Sequence, residues 1–91
     1  MKKIKTKCGY IAYEVSREEI TGLGGLGICD HCNTPAEKGY LVPVLNHWIC
    51  RKCYEEWNER ANFYPEDLWV EEKNCQYYES MIPLEGGGQD E

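Results

Sequence analysis

Ninety-one residues carrying 16 acids against 10 lysines and arginines give a formal net charge of −6 and a sequence pI of about 4.9. A chain this short makes one domain and buries too little surface to rely on its core alone, so a metal or disulfide staple is expected among its six cysteines. The acidity excludes general affinity for nucleic acid phosphates over most of the surface and favours basic protein surfaces, and no apolar run is long enough to span a membrane.

In chain order, Met1-Lys2-Lys3-Ile4-Lys5 has the charged start of a signal peptide without the apolar stretch that must follow it. That argues against secretion and a disulfide framework, and for a reduced, cytoplasmic setting. Gly9 to Val15 is rich in aromatic and β-branched side chains but alternates only loosely, and a strand is expected there. Ser16-Arg17-Glu18-Glu19 is a capping box, Ser with Glu three residues on, and predicts one helical turn ending near Thr21. Gly22-Leu23-Gly24-Gly25-Leu26-Gly27 formally matches the G-x-G-x-x-G dinucleotide fingerprint. The fingerprint works only between a strand and a helix whose N-terminus holds a pyrophosphate, whereas these glycines run into a cysteine pair, so a flexible approach to that pair is expected instead.

After Cys29 and Cys32, Asn33-Thr34-Pro35 turns the chain. Gly39 to Val44 and His47 to Cys50 read as a hairpin joined around Leu45-Asn46, with Pro43 confined to an edge or bulge because it lacks an N–H. From Cys50 to Cys53 the pattern becomes helical. Tyr54, Trp57 and Ala61 share one side and Glu55, Glu56 and Glu59 the other, with an end expected near Asn62 to Tyr64 before Pro65. Pro65 opens a second helix with Glu66 and Asp67 in its first turn. Leu68, Cys75, Tyr78 and Ile82 form its predicted inner stripe, leaving Glu71, Glu72 and Glu79 exposed. Pro83 marks its stop, residues 1–85 are read as a single zinc-binding domain, and 86–91 as a disordered tail.

The chemistry sits in Cys29-Asp30-His31-Cys32 and Cys50-Arg51-Lys52-Cys53. Two Cys-x2-Cys pairs supply the four soft thiolates of a closed tetrahedral site for one structural Zn2+. Roughly 10 to 16 kcal/mol of apparent zinc affinity is available to fold such a site, as much as the whole stability of a typical domain. Four ionised thiolates add four negative charges and Zn2+ returns two, so the formal charge of −6 becomes −8 with metal bound. His31 and His47 stand close enough in sequence to substitute as ligands, but two complete cysteine pairs already satisfy four-coordination and make them bystanders. Cys8 and Cys75 fall outside the site and are read as semi-buried thiols. A site with four thiolates keeps no position for water or substrate, and no Ser/His/Asp or Cys/His arrangement is placed by motif. The chain is therefore not expected to be an enzyme.

A zinc knuckle, a hairpin and a helix carrying the last two ligands resembles the treble-clef arrangement, and the Cys-x2-Cys-x17-Cys-x2-Cys spacing is similar to that of GATA-type fingers and of half a LIM domain. The resemblance spans Cys29 to about Ala61 and implies a small zinc-stapled α+β fold, with an N-terminal strand, a β-hairpin and two C-terminal helices around it. A GATA-type finger would use the helix after the last cysteine pair to meet DNA, which makes a nucleic-acid-binding transcriptional regulator the alternative reading. Here that helix reads Tyr54-Glu55-Glu56-Trp57-Asn58-Glu59-Arg60, and from Glu55 onward eleven acids face only Arg60 and Lys73. Bases that could reach phosphates are Arg51, Lys52 and the four N-terminal lysines Lys2, Lys3, Lys5 and Lys7. The expected working surface is instead acidic and aromatic: Glu55, Glu56, Glu59, Glu66, Asp67, Trp69, Glu71 and Glu72, interleaved with Trp57, Tyr64, Tyr77 and Tyr78, facing a protein with a basic surface. In size, charge and its four-cysteine site beside acidic helices the chain resembles, by type rather than by motif, the anti-CRISPR metalloproteins of bacteriophages, which act in the host cytosol. That resemblance implies a Cas9-type nuclease with its guide RNA as partner and hindered loading of target DNA as mechanism.

Overall fold

A computed structural model of the chain describes residues 1–84, and the tail predicted at 86–91 lies outside the described residues. Its elements are β1 (Lys2–Lys5), β2 (Ile11–Ser16), α1 (Arg17–Gly22), β3 (Lys38–Val42), β4 (His47–Ile49), α2 (Arg51–Arg60), a 3-10 turn (Pro65–Asp67) and α3 (Leu68–Met81). The strands form one four-stranded antiparallel sheet in the order β1-β2-β3-β4. This is the small α+β domain expected from the sequence, with one strand more. β1 was hidden because Lys2-Lys3-Ile4-Lys5 has three exposed lysines and no apolar alternation, and only its pairing with Glu14 to Ile11 makes it a strand.

The sheet is buried on both faces, which explains the weak alternation of β2. Tyr13 and Val15 join Leu41, Trp48, Cys75, Tyr78 and Ile82 in one core cluster, beneath α1 and α3. Ala12 joins Val42, Ile49, Cys29, Cys53, Tyr54 and Trp57 in the other, beneath α2. A strand covered on both sides gains nothing from polar residues on alternate positions. Helices α2 and α3 therefore lie on opposite faces of the sheet.

Local signals set the remaining elements. The capping box forms as read: Glu19 N–H donates to Ser16 Oγ (3.1 Å) and Ser16 N–H to Glu19 Oε1 (3.0 Å). The other Glu19 oxygen accepts from the Met1 amino group at 2.7 Å. Burial alone would raise this carboxyl, but the bonds from Met1 and Ser16 outweigh it and hold it below the usual value. The glycine run caps α1, with Leu23 and Gly25 N–H returning to Ile20 O and Gly24 N–H to Thr21 O, and with Gly24 at φ 103°. It follows a helix and enters the cysteine knuckle, the opposite of a dinucleotide turn. At Gly39 a Cβ would lie 2.6 Å from Trp48 Cε2, so only glycine lets the buried indole reach across the sheet to donate to Val15 O (3.0 Å).

The predicted inner stripe of α3 needs two corrections. Cys75, Tyr78 and Ile82 are buried as expected, but Leu68 is 44% exposed and Glu71 only 5%. The end of the β2–β3 ladder accounts for Glu71. Continuing the register from Tyr13↔Leu41 sets Ile11 opposite Pro43, one residue past the end of β3. The groups left over at the end of this ladder are taken up by α3: Ile11 N–H donates to Glu71 Oε2 at 2.7 Å, and Asn74 Nδ2 donates to Pro43 O at 2.8 Å. Tyr78 adds a hydroxyl bond to Asn46 Oδ1 in the same turn. Glu79, also expected to be exposed, is half-buried, accepting from the Tyr13 hydroxyl and pairing with Lys3 Nζ at 3.0 Å. No helix among the described residues is long and apolar enough to cross a membrane.

Leaving the Ile11 amide without an acceptor is expected to cost about 1–3 kcal/mol. Glu71→Ala should lower the midpoint of urea unfolding accordingly, and Glu71→Gln, whose amide oxygen can still accept, should recover most of the loss. Equal midpoints for the two variants would show that the carboxylate does not serve this amide.

Candidate metal centre

Each cysteine of the two pairs is placed by a different local device. Cys29 follows Ile28, which bridges to Pro35, and its N–H donates to Thr34 O at 3.0 Å. Asn33 N–H closes the knuckle on Cys29 O at 2.8 Å, which needs Asn33 in the left-handed region at φ 60°. Asparagine is one of the few residues with a side chain that tolerates this conformation. Cys50 ends the hairpin as the N-cap of α2, and Cys53 stands in the first turn of that helix. The knuckle is fixed against β4 by Asp30, whose N–H donates to Trp48 O and whose Oδ2 accepts from Trp48 N–H, each at 3.0 Å.

These devices bring the four sulfurs of Cys29, Cys32, Cys50 and Cys53 within 4.8 Å of one another. The Cys32 and Cys50 Sγ atoms are 3.8 Å apart. A tetrahedron with Zn–S bonds of about 2.3 Å has edges of roughly 3.8 Å, whereas a disulfide needs about 2.0 Å. The donor set and its spacing therefore fit one metal ion of the soft, tetrahedral kind. His31 and His47 stand edge to face with ring centroids 5.5 Å apart and are not part of the cluster. The imidazole of His31 is pushed to lower pKa by burial and then by His47.

The two knuckle amides His31 N–H and Cys32 N–H both point at Cys29 Sγ, at 3.4 Å. Cys50, the N-cap of α2, makes no side-chain capping bond. Cys29 and Cys53 are buried, Cys50 is intermediate and Cys32 is exposed. Burial pushes the Cys53 thiol up, while the Thr34 hydroxyl and amide bring Cys32 down to about 6. A cation beside the Cys53 sulfur would oppose the upward shift and favour its thiolate.

The residues expected to meet a partner are divided between α2 and the arm that runs from the 3-10 turn into α3. Glu55, Glu56 and Glu59 are exposed on α2, with Glu55 paired to Arg51 at 3.0 Å and Glu59 to Lys7 at 3.1 Å. Glu66, Trp69 and Glu72 are exposed on the other arm, on the 3-10 turn and α3. Asp67 is half-buried and accepts from the Tyr10 hydroxyl at 2.9 Å. Glu71 is withdrawn from the surface altogether, because its carboxylate serves Ile11. Among the aromatics, Trp57 and Tyr78 are core residues, whereas Tyr64 and Tyr77 are about half exposed. Sequence reasoning placed Asn33 in a turn without its role in closing the knuckle, and it missed Asp30. The left-handed tolerance of Asn33 just after the second cysteine was a readable signal, whereas the clamp of Asp30 depends on β4 being adjacent. No family model, curated protein or solved structure matches this chain.

Zinc titration of the reduced chain should saturate at one ion per chain. Cys32→Ser and Cys53→Ser should each lose the ion, with Cys53→Ser also losing far-ultraviolet dichroism because that sulfur lies within a core cluster. Protons compete with metal for thiolates, so metal-dependent stability is present at neutral pH and disappears as pH falls. A full complement of zinc in either variant would contradict this ligand set.

Proposed function

We propose that the chain is a noncatalytic, zinc-stapled module that works by binding a protein with a basic surface. The observation that carries this reading is the set of exposed aromatic residues Tyr64, Trp69 and Tyr77, which lie on the same arm of the chain as the exposed acids Glu66 and Glu72. Large apolar side chains within a charged rim are the usual anchors of protein interfaces. Coordination by four thiolates leaves no vertex for substrate, which supports a structural metal and Zn2+ as its identity. Exposed acids on both helices oppose a phosphate backbone, which weighs against the nucleic-acid-binding alternative.

In its sharpest form the partner is a Cas9-type nuclease with guide RNA. Its channel is positively charged in order to hold nucleic acid, so an acidic protein would compete there for target DNA. The zinc-loaded chain should then reduce loading of target duplex onto that complex in a gel-shift assay. Undiminished loading at saturating protein would remove the nuclease from the proposal.

Two further outcomes separate protein from nucleic acid as the partner. Duplex DNA should not bind tightly at low salt, and affinity that falls steeply as salt is raised would favour the regulator instead. Glu55→Lys, Glu56→Lys and Glu59→Lys together should weaken binding to a basic partner at least tenfold while leaving zinc bound.

A further inference from the structure

The two acidic helices lie on opposite faces of the sheet, so one partner can meet both only where the chain passes from one to the other. That passage, Ala61 to Tyr64 and the 3-10 turn, follows the C-terminal end of α2 and leads into α3. Four of the seven large hydrophobic residues found exposed lie within 63–69: Phe63 at 39%, Tyr64 at 50%, Leu68 at 44% and Trp69 at 68%. Of these four, Tyr64 lines a cleft of about 420 Å³ between the end of α2, the β3–β4 turn and the start of α3. Leu45, Trp57 and Val70 line it, Tyr64 forms part of its wall, and Arg60 and Asp67 supply its charges.

Resting on the protein-binding reading above, we infer that this cleft is the anchor site for a lysine- or arginine-rich segment of the partner that inserts one large apolar side chain. The cleft is open to solvent on one side, and a large apolar side chain seated on Leu45, Trp57 and Val70 would lose part of its contact with water. Arg60 offers guanidinium donors to a backbone carbonyl beside the anchor. Glu66, Glu72 and the α2 acids Glu56 and Glu59 are exposed on the elements flanking the cleft and carry the charge that selects basic flanks. A second copy of the chain is a poor occupant, since it brings the same negative charge, −6 before metal, to the same corner.

The test uses the zinc-loaded full chain and two short synthetic peptides of equal positive charge, one with a central phenylalanine and one with serine in its place. Binding is followed by backbone amide shifts. The phenylalanine peptide should move Leu45, Ala61, Tyr64 and Val70 and bind roughly ten- to a hundredfold more tightly than the serine peptide, the effect of burying one such side chain. Tyr64→Ala should cut the affinity for the phenylalanine peptide at least fivefold. It leaves the fold intact, because Tyr64 is half exposed and its bond to the Tyr10 hydroxyl is made by its backbone N–H. Equal affinity for the two peptides, with shifts confined to the outer side of α2, would overturn the anchor site while the protein-binding reading stands. Absence of binding by either peptide at low salt would overturn both. Cleft shifts that depend on protein concentration without peptide, with a doubled mass by light scattering, would assign the site to a second copy and refute the inference.

Discussion

Four thiols drawn within 4.8 Å of one another are a poor arrangement for a chain without metal. Ionised, they repel; protonated and partly buried, they pack as small hydrophobes and specify no geometry. A single divalent cation reverses both conditions, because it neutralises charge and fixes direction together. The four sulfurs come from the knuckle, the end of the hairpin and the start of α2, so an ion held among them would tie these three elements together. Through Cys29 and Cys53, which belong to the core cluster beneath α2, the same constraint reaches the apolar packing of one whole face of the sheet.

The opposite face is organised by a different rule. Tyr13, Val15, Leu41 and Trp48 present an apolar surface to α3, and such contacts are strong but have little directional preference. The two faces meet in the β3–β4 hairpin, which carries Cys50 at its end and Pro43 at its turn. A disturbance of the metal centre is therefore not confined to its own side. The binding surface proposed for this protein occupies the corner where the two arrangements join, so its shape depends on both.

Legibility in the sequence followed the range of the interaction. The capping box at Ser16, the cysteine pairs and the breaks at Pro65 and Pro83 act within a few residues, and each came out where the pattern placed it. Helix α2 ended at Arg60, slightly before the expected Asn62. The failures were non-local. β1 is a strand only because β2 lies beside it, and three lysines make sense there once Lys2–Lys5 is recognised as a sheet edge that must not recruit another strand. Leu68 and Glu71 exchanged their expected environments because the amide that Glu71 serves is 60 residues away in sequence. Of the site, the ligands were readable from spacing alone, whereas the clamp by Asp30 and the division of the acids between two faces required the sheet.

The pairing of Glu71 with Ile11 and of Asn74 with Pro43 has a consequence for how α3 finds its place. An apolar stripe lying on an apolar sheet could slide by a turn, about 5.4 Å, and lose little contact. Two polar bonds to single backbone atoms cannot shift in that way, since any displacement strands an amide at one end and a carbonyl at the other. Glu71 and Asn74 thus act as index marks that set the axial position of the helix. The position of Trp69 in space is inherited from a carboxylate that never reaches the surface.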